Sequence, residues 1–321
     1  MSMPSVNVLI FTYNQESLVN ETIESVLSQS YGNITKIIIA DDGSTDNTPN
    51  IITEYAMNNP SIYPVLAKRN RGIAYNMIRA IKHIEGDYVS FLDGDDLMGK
   101  QKIEKQVKYL NTNPELVACA HDMKVFDSVK NEFTGNFSKI INFKEIKGQI
   151  GVKSIFDPSL LLCPSSVMYK CEILPEGLDT RLKYWYEFFF IVEVLMKGNM
   201  GYMEDVLGIY RLHSTNVTGS KNFIEFGLEN SLIVYSIILA RYPELYPLIK
   251  KRKSITYLAK ILECIRYGNN TKAKKLSKVL MSEGNFFKGF ITYLTSFILN
   301  EKRANKLFQN KRFIKVFLEF F

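Results

Sequence analysis

The chain has 321 residues, of which 46% are hydrophobic and 23% charged. Those proportions exclude a disordered or fibrous polymer and suit one large domain, or a domain of two-thirds of the chain with an appendage. The net charge of +7 is uneven, with an acidic cluster inside residues 1–100 and an excess of Lys and Arg over residues 250–321. A basic tail of that kind suits nucleic acid, an anionic membrane or a solvated helix face.

In chain order, VNVLIFT (6–12) is a continuous apolar run of the kind buried parallel strands show. Leu18, Val19, Thr22, Ile23, Val26 and Leu27 then mark one face of a helix. KIIIAD (36–41) is the next strand. Thr48 followed by Pro49 reads as a cap and a first-turn proline, opening a helix with Ile51, Ile52 and Tyr55 inward. IYPVLA (62–67) is a third, weaker strand, and Met77, Ile78, Ile81 and Ile84 make the next helical stripe. YVSFLD (88–93) is a fourth strand, KQKIEKQVKYL (100–110) a helix with Ile103, Val107 and Leu110 inward, and LVACAH (116–121) a fifth strand. Beyond it, VKNEFTGNF reads as a hairpin or loop and PSSVMYK (164–170) as a strand. YWYEFFFIVEVLMKG (184–198) reads as a buried helix, and MGYMEDVLGIYRLH (200–213) as two short strands. From about Lys221 the pattern is helical to the end, which divides the chain into a first domain, 1–220, and a helical C-terminal region, 221–321.

The alternation of strand and helix over residues 6–121 predicts an α/β fold with a doubly wound, mostly parallel sheet. Ligands of such sheets sit beyond the carboxyl ends of the strands. Three polar loops fall at those ends: Thr12-Tyr13-Asn14, Asp41-Asp42-Gly43-Ser44 and Asp93-Gly94-Asp95-Asp96. Three carboxylates around one glycine repel one another, so the last loop is either a solvated turn or the seat of a cation. No GxGxxG and no GxxxxGK[ST] follows the first strand, so neither a dinucleotide fold nor a P-loop fits. A nucleoside diphosphate bound here needs another counter-charge. Mg²⁺ or Mn²⁺ on Asp95, with Asp93 or Asp96, supplies it, because these ions take one or two carboxylates together with phosphate oxygens.

At this point the sequence resembles the family 2 inverting glycosyltransferases with the GT-A fold. The resemblance rests on VNVLIFTYNQ, SVLSQSY, IIIADDGSTDNT, NRGIAYNMIRAI, GDYVSFLDGDD, PSSVMYK and YRLHSTNVTG, which follow the family's order from residue 6 to about 218. It implies a Rossmann-like sheet flanked by helices and a sugar-nucleotide donor, usually UDP-linked. Thr12, Tyr13, Asn14 and Asp42 would hold its base and ribose, and Arg71 and Asn76 would lie near it. Asp93 and Asp95 correspond to the family's DxD pair, the first touching ribose or sugar and the second the metal. His213 would approach the metal or the diphosphate.

The implied reaction is transfer of a glycosyl group to an acceptor hydroxyl with inversion, one in-line attack on the anomeric carbon. A carboxylate takes the proton of the attacking hydroxyl. The family carries that base as the Asp of a Glu-Asp pair before the buried helix, where this sequence has Tyr184-Trp185. Glu187 is the nearest carboxylate and is assigned as the base, with Asp179 a less well placed alternative. PSSVMYK would line the acceptor side. The resemblance implies that the acceptor would be a glycan or a lipid-linked molecule, as in the building of bacterial surface polysaccharide.

Two competing readings remain at this level. A phosphohydrolase could use LDGDD as an aspartyl nucleophile motif, although that chemistry places its nucleophile after the first strand. A sugar-nucleotide-binding protein that has lost its base is the other.

The N-terminal stretch has no basic n-region and Asn7 cuts its apolar run, so no secretory signal is expected. The longest apolar runs, LIVYSIILA (232–240) and GFITYLTSFIL (289–299), fall short of the ~20 residues of a spanning helix. Cys119, Cys163, Cys171 and Cys264 show no metal spacing and read as free thiols of a reducing compartment. The expected location is cytoplasmic, peripheral at the inner face of the membrane if the tail docks there. That tail, 301–321, interleaves Lys and Arg with Phe, Leu and Ile. It suits an anionic membrane surface, its own domain or a second subunit in a homodimer. No nucleic-acid-binding module accompanies the charge.

Overall fold

The computed structural model describes residues 2–140, 148–158, 160–175, 177–179, 181–182, 186–214 and 221–298. The tail 301–321, Tyr184, Trp185 and residues 215–218 of the last family string lie outside them. The chain divides into two compact units, Met1–Ile224 and Glu225–Phe321.

The first unit is built on one ten-stranded sheet. β1 (Val6–Thr12) is buried along its whole length and pairs in parallel with β2 (Ile34–Asp41) on one side and β4 (Tyr88–Asp93) on the other. β3 (Ile62–Leu66) extends the sheet beyond β2. Helices α1 (Val19–Leu27), α2 (Thr48–Asn58) and α3 (Ile73–Ile81) make the crossovers. Burial on both faces explains the unbroken apolar run of β1. Asn7, a polar residue within it, is fully buried and satisfied: its amide donates to Thr35 Oγ1 at 2.9 Å and its carbonyl accepts from Glu85 N at 2.7 Å.

After β4 come the two-residue strand β5 (Leu97–Met98) and helix α4 (Lys102–Thr112). Strand β6 (Ala118–Asp127) runs six residues past the predicted LVACAH and forms a hairpin with β7 (Glu132–Asn136). Short elements α5 (Phe137–Ile140), β8 (Gln149–Ile150) and α6 (Val152–Ile155) follow. A 3₁₀ turn, Pro164–Ser166, then leads into β9 (Met168–Lys170), which lies antiparallel between β4 and β6. Helix α7 (Tyr186–Leu195) is buried from Phe188 to Leu195, as the apolar run predicts.

Two expectations need correction. Residues 200–212 form one strand, β10 (Met200–Leu212), rather than two. Register shifts after Met203 and Val206 absorb the irregular patterning while pairing with β6 continues on both sides. Thr48 is the first residue of α2, not its cap; Asn47 precedes the helix. The Thr48 hydroxyl instead accepts from Gln15 N at 2.9 Å, which ties α2 to the loop after β1.

Among the described residues, the second unit is built on α8 (Lys221–Arg241), which begins just before its boundary, and on α9 (Tyr246–Arg266), α10 (Asn270–Ser282) and α11 (Phe286–Ile298). Its core gathers Tyr257, Leu258, Ile261 and Ile265 of α9 with Ala273 and Leu280 of α10. Among the described residues no helix is long and apolar enough to cross a membrane. All four cysteines are free thiols, three of them buried.

Candidate active site

The order β3-β2-β1-β4 places the reversal of strand order between β1 and β4. A crevice opens at such a point beyond the carboxyl ends. Phe11 pairs with Asp93, so Thr12 at the end of one strand adjoins the acidic turn at the end of the other. The contact is close. A Cβ on Gly94 would fall 2.9 Å from both the Phe11 carbonyl and Thr12 Cβ, which explains the glycine inside the carboxylate cluster.

Polar bonds join the first two loops. Asn14 has a positive φ of 52°, its N–H donates to Ser44 Oγ at 2.8 Å, and its Oδ1 accepts from Thr45 N at 2.8 Å. Asp41 is buried and accepts from the N–H groups of Gly43 and Ser44. Both oxygens of buried Asp42 are engaged, Oδ1 by Arg71 N at 3.1 Å and Oδ2 by Gly72 N at 2.8 Å. Burial raises the Asp42 pKa, and those two N–H groups oppose the rise. Arg71 is exposed and lies with its guanidinium carbon 3.7 Å from the Tyr75 ring centroid. Asn76 is buried and braces the end of β2, donating to the Ala40 carbonyl at 2.7 Å. Tyr13 is 42% exposed. The Thr12 hydroxyl is buried and has no hydrogen-bond partner.

In the third loop, ligand atoms of Asp93, Asp95 and Asp96 all lie within 4.8 Å of one another. The three play different parts. Asp96 is fully buried and holds neighbouring elements together: its carboxylate accepts from Ser165 Oγ at 2.5 Å and from Arg211 N at 3.0 Å. Burial, reinforced by the charge of Asp95, pushes its pKa up to about 8. Asp93 is raised well above the carboxylate range, first by burial and then by the charges of Asp96, Asp95 and Glu187. Asp95 Oδ2 lies 2.9 Å from Nε2 of His213, just past the end of β10. Sequence strings more than 100 residues apart thus supply one carboxylate–imidazole pair.

Glu187 lies in the first turn of α7, half-buried, and its charge is felt by Asp93. Asp179, the alternative base, is gripped by the guanidinium of Arg181 at 2.6–3.0 Å. The chain ends β1 on Thr12-Tyr13-Asn14, so no aspartyl nucleophile occupies the position a phosphohydrolase requires.

Three residues that the sequence did not single out complete the site. Arg211 is buried; its Nε donates to the Asp95 carbonyl, and its terminal nitrogens reach Glu21 at 2.6 Å, Thr22 Oγ1 at 3.0 Å and the Leu18 carbonyl at 3.2 Å. Thr22 Oγ1 in turn lies 2.9 Å from the carbonyls of Gly94 and Asp96. Ser165 Oγ accepts from Asp93 N at 3.0 Å while donating to Asp96. A cleft of about 840 Å³ lies elsewhere, lined by α1, β5, β10 and the β6–β7 hairpin.

Hard carboxylate oxygens beside one imidazole form a donor set that fits Mn²⁺ or Mg²⁺. With both oxygens of Asp96 engaged, the ligands within reach are Asp95, His213 and Asp93.

The molecule has close relatives in sequence and in fold. An uncharacterised protein of Mycobacterium tuberculosis is 36% identical over 122 residues, 37% of this chain and 35% of its own length. The chain therefore spans about a third of that relative. TuaG of Bacillus subtilis, named as a candidate glycosyltransferase of teichuronic acid biosynthesis, is 37% identical over 107 residues, 33% of this chain and 42% of TuaG. The crystal structure of S. aureus TarS 1-349 in complex with UDP-GlcNAc superposes with a TM-score of 0.64 at 17% identity, covering 94% of this chain and 92% of that one. The sequence profile of glycosyl transferase family 2 matches residues 7–178, a span that contains the three converging loops, the acidic turn and Ser165. The chain belongs to glycosyl transferase family 2.

Proposed function

We propose that the chain transfers a sugar from a nucleoside-diphosphate donor, UDP-linked, to a hydroxyl of a glycan or lipid-linked acceptor, with Mn²⁺ or Mg²⁺ as cofactor. The observation that carries this reading is the pairing of Asp95 with His213 at 2.9 Å, at the strand-order reversal and beside Asp93. Asp95 and His213 hold the cation. When bound, it supplies positive charge against the leaving diphosphate.

The other roles belong to the chain's own groups. Thr12 offers a buried, unpartnered hydroxyl to the donor, and leaving such a group unmatched costs ~1–3 kcal/mol. Tyr13, exposed at the end of β1, stacks on the base. Asn14 and Asp42 shape the ribose pocket through the loops they brace. Asp93 accepts from ribose or sugar hydroxyls, and Arg71 guards the donor's flank while Asn76 steadies the strand end behind it. Glu187 removes the proton of the attacking hydroxyl as inversion proceeds. The Arg181 guanidinium 2.6 Å from Asp179 lowers that carboxylate's proton affinity, which argues against Asp179 as the base.

The UDP-GlcNAc complex of the structural neighbour supports the choice of a UDP-sugar. The name of TuaG supports an acceptor in surface polysaccharide synthesis and, with it, a cytoplasmic enzyme working at the inner face of the membrane.

Calorimetry with UDP, GDP and ADP, with and without Mn²⁺, tests the reading. UDP should bind more tightly with Mn²⁺, and Asp95→Ala should remove the Mn²⁺ increment. Equal affinity in both proteins would remove the metal from the account. UDP binding without sugar transfer to any of a panel of acceptors would instead identify a sugar-nucleotide-binding protein.

A further inference from the structure

The second unit presents a surface that donor binding does not use. Helix α11 buries Gly289, Thr292 and Ser296 and exposes the opposite stripe. Phe286 is 67% exposed, Phe290 43% and Leu294 44%. The hairpin cannot absorb this stripe, because α11 is already committed to α10 through its other side. Ser277 and Thr292 hydroxyls meet at 3.0 Å, and a Cβ on Gly289 would fall 2.7 Å from the Ser277 carbonyl. Phe286 and Phe290 stack nearly parallel, at 7° and 6.0 Å between centroids, and form one apolar ridge.

Positive charge flanks the ridge. Lys278 of α10 lies 5.7 Å from the ring centroid of Tyr293, which brings the α10 lysines alongside α11. From Arg266 to Ile298 the sequence holds one arginine, five lysines and a single carboxylate, Glu283, which pairs with Lys253 at 2.8 Å. Adjoining large apolar side chains exposed along one helix face suit a contact site. Aromatic side chains in a rim of lysines match a bilayer bearing anionic headgroups, where rings enter the acyl boundary and ammonium groups meet phosphate. A second protein chain would need carboxylates opposite these lysines, and this hairpin offers only Glu283 to a copy of itself.

We propose that the exposed face of the α10–α11 hairpin is a docking surface for an anionic lipid bilayer. The inference names the surface for the membrane location proposed above and rests on that reading, but not on the transfer chemistry. Docking here holds the enzyme where lipid-linked acceptors are presented.

The test is sedimentation of the full chain with vesicles of phosphatidylcholine alone or with phosphatidylglycerol added. Wild type should partition at least about tenfold better onto the anionic vesicles, with the preference lost in high salt. Phe286→Ser/Phe290→Ser should lower partitioning onto anionic vesicles about tenfold. Lys275→Glu/Lys278→Glu should remove the preference for phosphatidylglycerol. Both variants should keep the wild-type melting temperature and the UDP-dependent shift in it, which excludes misfolding. Wild type that ignores both vesicles would overturn the membrane location and this inference together. Unchanged partitioning of the phenylalanine variant would overturn this inference alone. Self-association abolished by that variant, without lipid binding, would assign the face to a second copy of the chain.

Discussion

Arg211 holds Asp95 from the main-chain side. Its Nε donates to the Asp95 carbonyl, while its backbone N–H donates to the neighbouring Asp96 carboxylate at 3.0 Å. The carboxylate of Asp95 is left to face His213. One buried cation therefore fixes the acidic turn against both α1 and β10. The exposed end of its ion pair, Glu21, adds little, since its side chain is 68% accessible and solvent screens it. The larger part comes from its buried acceptors, the Asp95 carbonyl and the Thr22 hydroxyl.

Arg211→Met should cost about 2–4 kcal/mol in urea denaturation, because the buried Asp95 carbonyl and Thr22 hydroxyl lose the Arg211 donor. Mn²⁺-assisted UDP affinity should fall by about tenfold or more, since the turn is no longer pinned. Arg211→Lys should recover part of the stability and little of the affinity, because an ammonium cannot span those acceptors. Full affinity in the methionine variant would mean that the β10 backbone alone sets the turn.

Thr12 separates stability from binding. Its hydroxyl is buried without a partner, so Thr12→Val should leave the melting temperature of the free protein unchanged or raise it slightly. The same change should weaken UDP-sugar binding about tenfold, the loss expected for one hydrogen bond to a buried ligand group. A variant that binds as well as wild type would show that the hydroxyl faces no donor atom.

Much of this was legible in the sequence because it depends on local signals. The apolar runs of β1, β2 and β4 mark buried parallel strands, and a polar loop at each carboxyl end follows from chain order alone. Asp95 and His213 were recoverable through the family strings. Arg211 was not, although it stands in one of them, because its partners Asp95, Thr22 and Leu18 lie more than 100 residues away in sequence. Ser165 was hidden in the same way: PSSVMYK reads as one strand, whereas Pro164–Ser166 is a 3₁₀ turn that brings the Ser165 hydroxyl to the acidic turn before β9 begins. The continuity of β10 was illegible because bulges break the period-two pattern without breaking the pairing. The family string marks Asp93 and Asp95 but gives Asp96 no part, and only the fold shows that Asp96 is engaged at both oxygens by Ser165 and Arg211.

Asp96 should make the free protein less stable as pH rises. Its folded pKa of about 8 exceeds the model-peptide value of 3.8, so the folded state holds the proton more tightly. The stabilisation is complete below about pH 4 and is lost as pH climbs through 8. Buried His121 and Lys102, held down to about 3 and about 7 by burial, act in the opposite sense over their own ranges. The useful quantity is therefore the difference between wild type and Asp96→Asn. Measured by urea denaturation without divalent cations, wild type should lose about 2–4 kcal/mol relative to the variant between pH 4 and 8. Parallel curves would show that the carboxyl is ionised throughout.

Glu187 is tested by separating turnover from binding. Glu187→Gln keeps shape and hydrogen-bonding capacity but cannot accept the proton, so kcat should fall by about 10²–10⁴-fold while UDP affinity stays within about threefold of wild type. The substitution also removes one of the charges that raise Asp93, so Asp93 should ionise at lower pH in the variant, with Mn²⁺-assisted UDP binding extending to more acidic buffers. Asp179→Asn should change kcat little, because that carboxylate is already bound by Arg181. If the asparagine variant instead loses turnover and the glutamine variant does not, the base lies before α7 rather than on it.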